Sequence, residues 1–147
     1  MDESVSYMPV IIEATKFLFN EAGKWLDSVR HRIGTSKQDP KELSRRDDPK
    51  LTATQFSKLE SEPSKLAQLI NSYQAESNAY AIRGLVDQLR VHRKNLTDYE
   101  STEAEYGVLT PSYVKRSIER EALAIAEKSV LLRKLLEQVY QGSLEDV

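Results

Sequence analysis

The chain predicts an all-α fold: one long helix, a long polar connection and an antiparallel helical hairpin, three long helices in a bundle-like arrangement. Three observations carry this. Apolar residues recur at alternating spacings of three and four over long blocks, the signature of amphipathic helices. Nowhere do Val, Ile, Thr and aromatic residues alternate at period two between turn residues, as a half-buried strand requires. Most helix breakers fall at the edges of the blocks: Gly34, Pro63, Gly107, Pro111 and Gly142. A chain of 147 residues is long enough to close one hydrophobic core.

Residues 1–34 form the N-terminal amphipathic helix. Its apolar block runs from about Pro9 to Ile33, and Pro9 suits the first helical turn of that block, where its missing N–H costs nothing. Ile12, Phe19, Leu26 and Ile33 fall seven apart. Ile11, Leu18 and Trp25 make a neighbouring row, with Thr15, Ala22 and Val29 beside it. This face is wider than a two-stranded seam requires. Glu13, Lys16, Asn20, Lys24, Asp27 and Arg30 cover the other side, and Val10 and Phe17 fall among them. Gly34 is a natural stop.

Residues 35–63 are a polar connection holding Pro40, Pro49 and Pro63. Leu43, Leu51, Phe56 and Leu59 are its only large apolar residues. Thr52 with Gln55 reads as a capping box and predicts a short helix over 53–60. A connection this long inside a compact domain is either mobile or functional.

Residues 64–142 form the hairpin, and 143–147 a tail. The first arm meets no breaker before Gly107. It uses Leu66, Leu69, Ile70, Tyr73 and Tyr80, then Ile82, Leu85, Leu89, His92, Leu96 and Tyr99. Its phase changes near residues 76–80, and its first turns overhang the second arm. The second arm opens with Thr110 as cap and Pro111 in the first helical position. Its seam is Ile118, Ala122, Ile125, Ser129, Leu132, Leu136 and Val139. Folding at Gly107–Thr110 sets Leu96 against Ala122, Leu89 against Ser129 and Ile82 against Leu136. His92 falls against Ile125 in the same register. Two large residues, Leu96 and Leu89, thus land opposite the two small ones, as interdigitated packing needs. Asp98, Glu100, Glu103 and Glu105 face Lys115, Arg116 and Arg120.

Composition narrows the function classes. Lys and Arg number 21 against 23 Asp and Glu, a net charge of -2, which is not the footprint of a polyanion binder. Zero cysteines remove disulfides, thiolate nucleophiles and zinc–thiolate sites. Two histidines and no Glu-x-x-His pair leave no di-iron signature. Five scattered glycines make no phosphate-cradling loop. Ser112 and Lys115 have the spacing of a serine–lysine acyl-transfer pair but lack its companion motifs, so Ser112 reads as a first-turn residue. His92 reads as a polar seam residue that fixes register, and His31 as a surface partner of Asp27. Asp47–Asp48 and Glu103/Glu105 lie in polar stretches where nothing shifts a carboxylate toward catalysis. The expectation is no enzyme, no cofactor, no metal and no small-molecule substrate. Charges at Glu13 and Lys16 break the N-terminal apolar stretch, so it does not span a membrane. An acidic N-terminus and zero cysteines point to the cytoplasm.

The expected function is non-catalytic protein–protein interaction, as an adaptor, subunit or accessory factor of a larger assembly. Its coiled-coil-like helices would act through apolar faces on a second copy or another chain. Val10, Phe17 and Trp25 on the first helix, with Tyr73 on the overhang, are the expected interface. The alternative is a peripheral membrane or pore-associated role for the N-terminal helix. A third reading is a nucleic-acid-complex accessory role, with Arg83, Arg90, Arg93 and Lys94 as basic contacts. Asp87 interrupts that stripe.

Overall fold

The computed structural model describes residues 4–33 and 50–144, and they form an all-α bundle. Helix one runs unbroken through α1 (Ser4–Phe17), a π-helical segment (Leu18–Ala22) and α2 (Gly23–Ile33). A two-residue strand β1 (Lys50–Leu51) leads into α3 (Ala53–Glu60) and α4 (Pro63–Leu69). The hairpin is α5 (Ser72–Tyr106), a 3-10 turn (Gly107–Leu109) and α6 (Ser112–Tyr140). β2 (Ser143–Leu144) pairs with β1 in parallel, tying the connection to the end of α6. The Gly34 stop, Pro40, Leu43, Asp47–Asp48, Pro49 and residues 145–147 lie outside the described residues, as do the side chains of Asp27, Arg30, His31 and Ile33.

The α5–α6 seam buries Ile82, Leu85, Leu89 and Leu96 on one side. Ile118, Ala122, Ile125, Ser129, Leu132 and Leu136 are buried on the other. Polar contacts mark the register. His92 sits between Glu121 and Lys128, the residues one turn either side of Ile125. Farther down, the Asn78 amide donates to the Leu135 carbonyl at 3.3 Å and to Gln138 Oε1 at 3.0 Å.

The turn differs in detail from the sequence expectation. Thr110 does not cap α6. Its hydroxyl turns back toward the carbonyls of Glu103 and Gly107, closing the end of α5, and the Pro111 carbonyl opens α6. The acidic end of α5 finds its partner in helix one: Arg32 donates to Glu100 and Glu103, both at 3.1 Å.

The first arm is not one continuous helix and does not overhang. It breaks at Ile70–Asn71, where Asn71 caps α5 by accepting from the Gln74 N–H at 3.1 Å. The Asn71 N–H donates to the Val139 carbonyl at 2.8 Å, satisfying one of the orphan carbonyls at the end of α6. The bend lets Leu66 and Ile70 bury in the core.

Helix one runs parallel to α5, since Glu13 reaches Arg90 and Arg32 reaches Glu100 and Glu103. α1 packs on α5 and α2 packs on α6. At the end of α6, Thr15 Oγ1 donates to the Ile11 carbonyl at 2.8 Å, so the Tyr140 hydroxyl donates to Thr15, also at 2.8 Å. On the far side of helix one lies α3. The capping box forms, with Thr52 and Gln55 each accepting the other's backbone N–H at 3.1 Å. Phe56 packs on Phe19 with ring centroids 6.0 Å apart, and Lys16 pairs with Glu60 at 3.0 Å. Helix one is therefore covered from three directions.

Two stability predictions follow from this core. The Ser129 hydroxyl is buried and finds no hydrogen-bond partner among the described residues. Ser129→Ala removes that unsatisfied group with almost no change in volume, so it should stabilise the fold by about 1 kcal/mol. Chemical denaturation measures this, and an unchanged or lower midpoint counts against it. Separately, burial pushes the Tyr140 phenol from 10 up to about 12. The unfolded phenol ionises near pH 10 while the folded one stays protonated. This contribution is whole below pH 10 and is lost as pH rises toward 12, by roughly 2–3 kcal/mol. Denaturation midpoints at pH 9 and pH 11 should fall more for the parent than for Tyr140→Phe.

Candidate functional site

The α5–α6 seam carries one cluster of polar, titratable side chains. His92 Nδ1 lies 2.7 Å from Glu121 Oε1, and Lys128 Nζ lies 2.9 Å from His92 Nε2. An ammonium only donates, so Nε2 accepts and Nδ1–H donates to the carboxylate. Both ring nitrogens are thereby occupied. The arrangement satisfies a buried Glu121 and pins the hairpin, in keeping with the register role. The signal for it was present in the sequence: Glu121 and Lys128 flank Ile125, the residue assigned opposite His92.

Among the described residues no group of three or more His, Asp or Glu is placed to hold a metal ion. Ser112 and Lys115 are both exposed at the start of α6. Glu103 is paired to Arg32, and Glu105 is exposed.

A second candidate is the outer side of helix one. A shallow, mostly apolar groove of about 590 Å³ is lined by Met8, Ile12, Phe17 and Arg90, with Glu13, Lys16, Asn20 and Glu21 at its rim. It lies beside the π-helical segment, a feature often found at functional sites.

This region also corrects the expectation for Phe17. The side chain is not left over on a polar face; it is only 1% exposed. Its ring meets Trp25 edge-on, with centroids 5.4 Å apart. The Arg90 guanidinium lies over it at 5.0 Å, and Arg93 lies over Trp25 at 5.3 Å. The reason is that α5 packs against the flank of α1 that holds Ala14 and Phe17. The π segment then adds a residue to the turn, so Phe19 can also be buried on another side. Val10 and Trp25 are half-buried and packed against the core. Of the four expected interface residues, only Tyr73 is openly exposed, at 74%.

The basic stripe divides as well. Arg90 and Arg93 are the cations over Phe17 and Trp25. Lys94 pairs with Asp98 at 3.2 Å, and Arg83 is exposed. Two residues expected to contact nucleic acid thus cover two expected to contact a partner.

A third candidate is the apex of the hairpin. Val108 is 95% exposed and Leu109 78% exposed, with Tyr106 and Tyr113 exposed on either side. The 3-10 turn holds Gly107 at φ 59, which places the two aliphatic side chains at the very tip. Turns ordinarily carry Gly, Pro, Asn, Asp and Ser. Val108-Leu109 between Gly107 and Thr110-Pro111 was the signal that a reading of the helical seams passed over.

Comparison with protein-family models, with curated proteins and with solved structures finds no match for this chain. The functional reading therefore rests on its own residues.

The burial of Phe17 sets a test. Phe17→Asp places a carboxylate in the core and should cost several kcal/mol. Circular dichroism should show a large loss of thermal stability. A variant that melts like the parent would return Phe17 to the surface.

Proposed function

We propose that the protein is a non-catalytic protein–protein interaction module, an adaptor, subunit or accessory factor of a larger assembly. The apex of the α5–α6 hairpin is its main contact. The observation that carries the reading is the cluster of Tyr106, Val108, Leu109 and Tyr113, apolar and exposed together at one tip. Side chains scattered singly over a surface need no explanation, but a clustered patch marks a contact. The tip is convex, so it suits insertion into a partner's apolar pocket, with the tyrosines as amphipathic anchors. Glu105 on one side and Lys115 and Arg116 on the other form a charged rim. Zero cysteines fit work in a reducing compartment such as the cytoplasm.

The other readings have less support. A membrane role for helix one needs its apolar side chains at the surface, yet Ile11, Phe17, Leu18 and Phe19 are buried. Among the described residues no helix is long and apolar enough to cross a membrane. A nucleic-acid role needs a free basic stripe, and Arg90 and Arg93 lie over aromatic rings.

The test is the double variant Val108→Asp, Leu109→Asp. Both side chains are exposed, so helicity and melting temperature should stay within the small range expected of surface changes. Proximity labelling in cells should then lose the neighbours that the parent chain labels. If the double variant keeps every neighbour, the apex is not the contact. Liposome flotation of the parent provides a second arm: flotation abolished by the same variant would assign the apex to a lipid surface and overturn the protein-partner reading.

A further inference from the structure

The outward face of α5 raises a separate question. Tyr80 is 91% exposed, and Tyr73 and Val91 are exposed on the same side of the helix, seven residues before it and eleven after it. Between them lies Gly84. Glycine inside a helix costs roughly 1 kcal/mol against alanine. Among the described residues a Cβ built on Gly84 would meet nothing within 4 Å, so their packing gives no reason for a glycine there. Beside the apolar stripe runs a row of exposed charges: Glu76, Arg83, Asp87 and Lys94. Their order along the helix is acid, base, acid, base.

We infer that this face pairs with the same face of a second copy, antiparallel, across a two-fold axis that passes between Gly84 and Asp87. The charge row selects this partner. In that arrangement Glu76 comes level with Lys94 of the other copy, and Arg83 level with its Asp87. Each pair forms twice, because an isologous interface repeats every contact. Tyr80 comes level with the other copy's Val91, and Tyr73 with its Thr97 and Asp98. Gly84 lies beside the axis, where two backbones approach most closely. A parallel pairing sets each residue level with its own copy and forms none of these ion pairs. Lys94 is held by an exposed pair with Asp98, which exchanges at little cost. Residues 73–94 span about 32 Å of helix, a stripe long enough for a stable helix–helix contact. The inference deepens the interaction-module reading and rests on it, but it uses a face distinct from the apex.

The test uses the full chain in sedimentation equilibrium over a concentration series. The parent should show a dimer of twice 16.8 kDa that dissociates on dilution. Gly84→Leu should raise thermal stability slightly through helix propensity, yet weaken the dimer by about tenfold or more through steric block at the axis. Arg83→Asp should weaken it too, and adding Asp87→Arg to that variant should restore it. Because the chain has no cysteine, Tyr80→Cys and Val91→Cys chains mixed together should crosslink, while neither does so alone. A chain that stays monomeric at millimolar concentration overturns this pairing and leaves the apex reading standing. A dimer indifferent to Gly84→Leu, or one that the charge exchange fails to restore, overturns it equally.

Discussion

Helix one and α5 lie side by side and point the same way, and much of the remaining architecture follows from that. Antiparallel neighbours can be joined by a tight turn, as α5 and α6 are. Parallel neighbours need a return path as long as the helix, about 45 Å for the thirty or so residues of helix one. The long polar connection joins the end of helix one to the start of the hairpin. Its described part is used as cover on the way. β1 is tied to β2 beyond α6, α3 sets Phe56 on Phe19, and α4 brings Leu66 into the core. The connection is long because of the orientation of the two helices it joins, and the apolar residues of its described part, Leu51, Phe56 and Leu59, pack on the bundle.

The same orientation explains what becomes of the unusually wide apolar face. A single groove on a two-helix hairpin shelters roughly a 100° stripe. Helix one exceeds that, and three neighbours share the excess. α5 takes the flank with Phe17, α6 takes the side with Thr15 through Tyr140, and α3 takes Phe19. The π segment between α1 and α2 makes this sharing feasible, since one extra residue in a turn rotates the faces before and after it relative to each other. Polar groups are used in the same economical way. Arg90 and Arg93 lay their guanidinium groups over rings, and Arg90 also reaches Glu13 at the surface. Glu121 is buried, but its oxygen is held by His92, which is held in turn by Lys128.

Features encoded by regular periodicity or by a local hydrogen-bond pattern were legible in the sequence. The all-α class, the seam residues of the hairpin and the Thr52–Gln55 capping box belong here. Features set by tertiary packing were not. No local signal marks Leu18–Ala22 as π-helical, so Phe17 read as a polar-face residue although α5 covers it. The break at Ile70–Asn71 had a signal, an asparagine in cap position, but asparagine also occurs inside helices. What decided it was the Val139 carbonyl waiting at the end of α6. Thr110 shows the same limit: a threonine before a proline can close the helix behind it or open the one ahead. Of the candidate interface, Tyr73 stood out correctly as exposed, while Val108 and Leu109 escaped notice because they belong to no periodic row.

The apex and the outward stripe of α5 have a geometric relation. The outward stripe of α5 is centred near Gly84, and the apex begins at Tyr106, some twenty residues and about 32 Å farther along the same helix. An antiparallel pairing centred near Gly84 sends the two apices in opposite directions, about 65 Å apart. Such an object holds two identical contacts at its ends and buries its middle in self-association. Two weak apical contacts on one rigid body gain in avidity only where both partners sit at that spacing, and fail where they do not. The helix length between the stripe and the tip would then act as a ruler. Lengthening or shortening α5 and α6 together by whole turns would change the spacing without touching either contact.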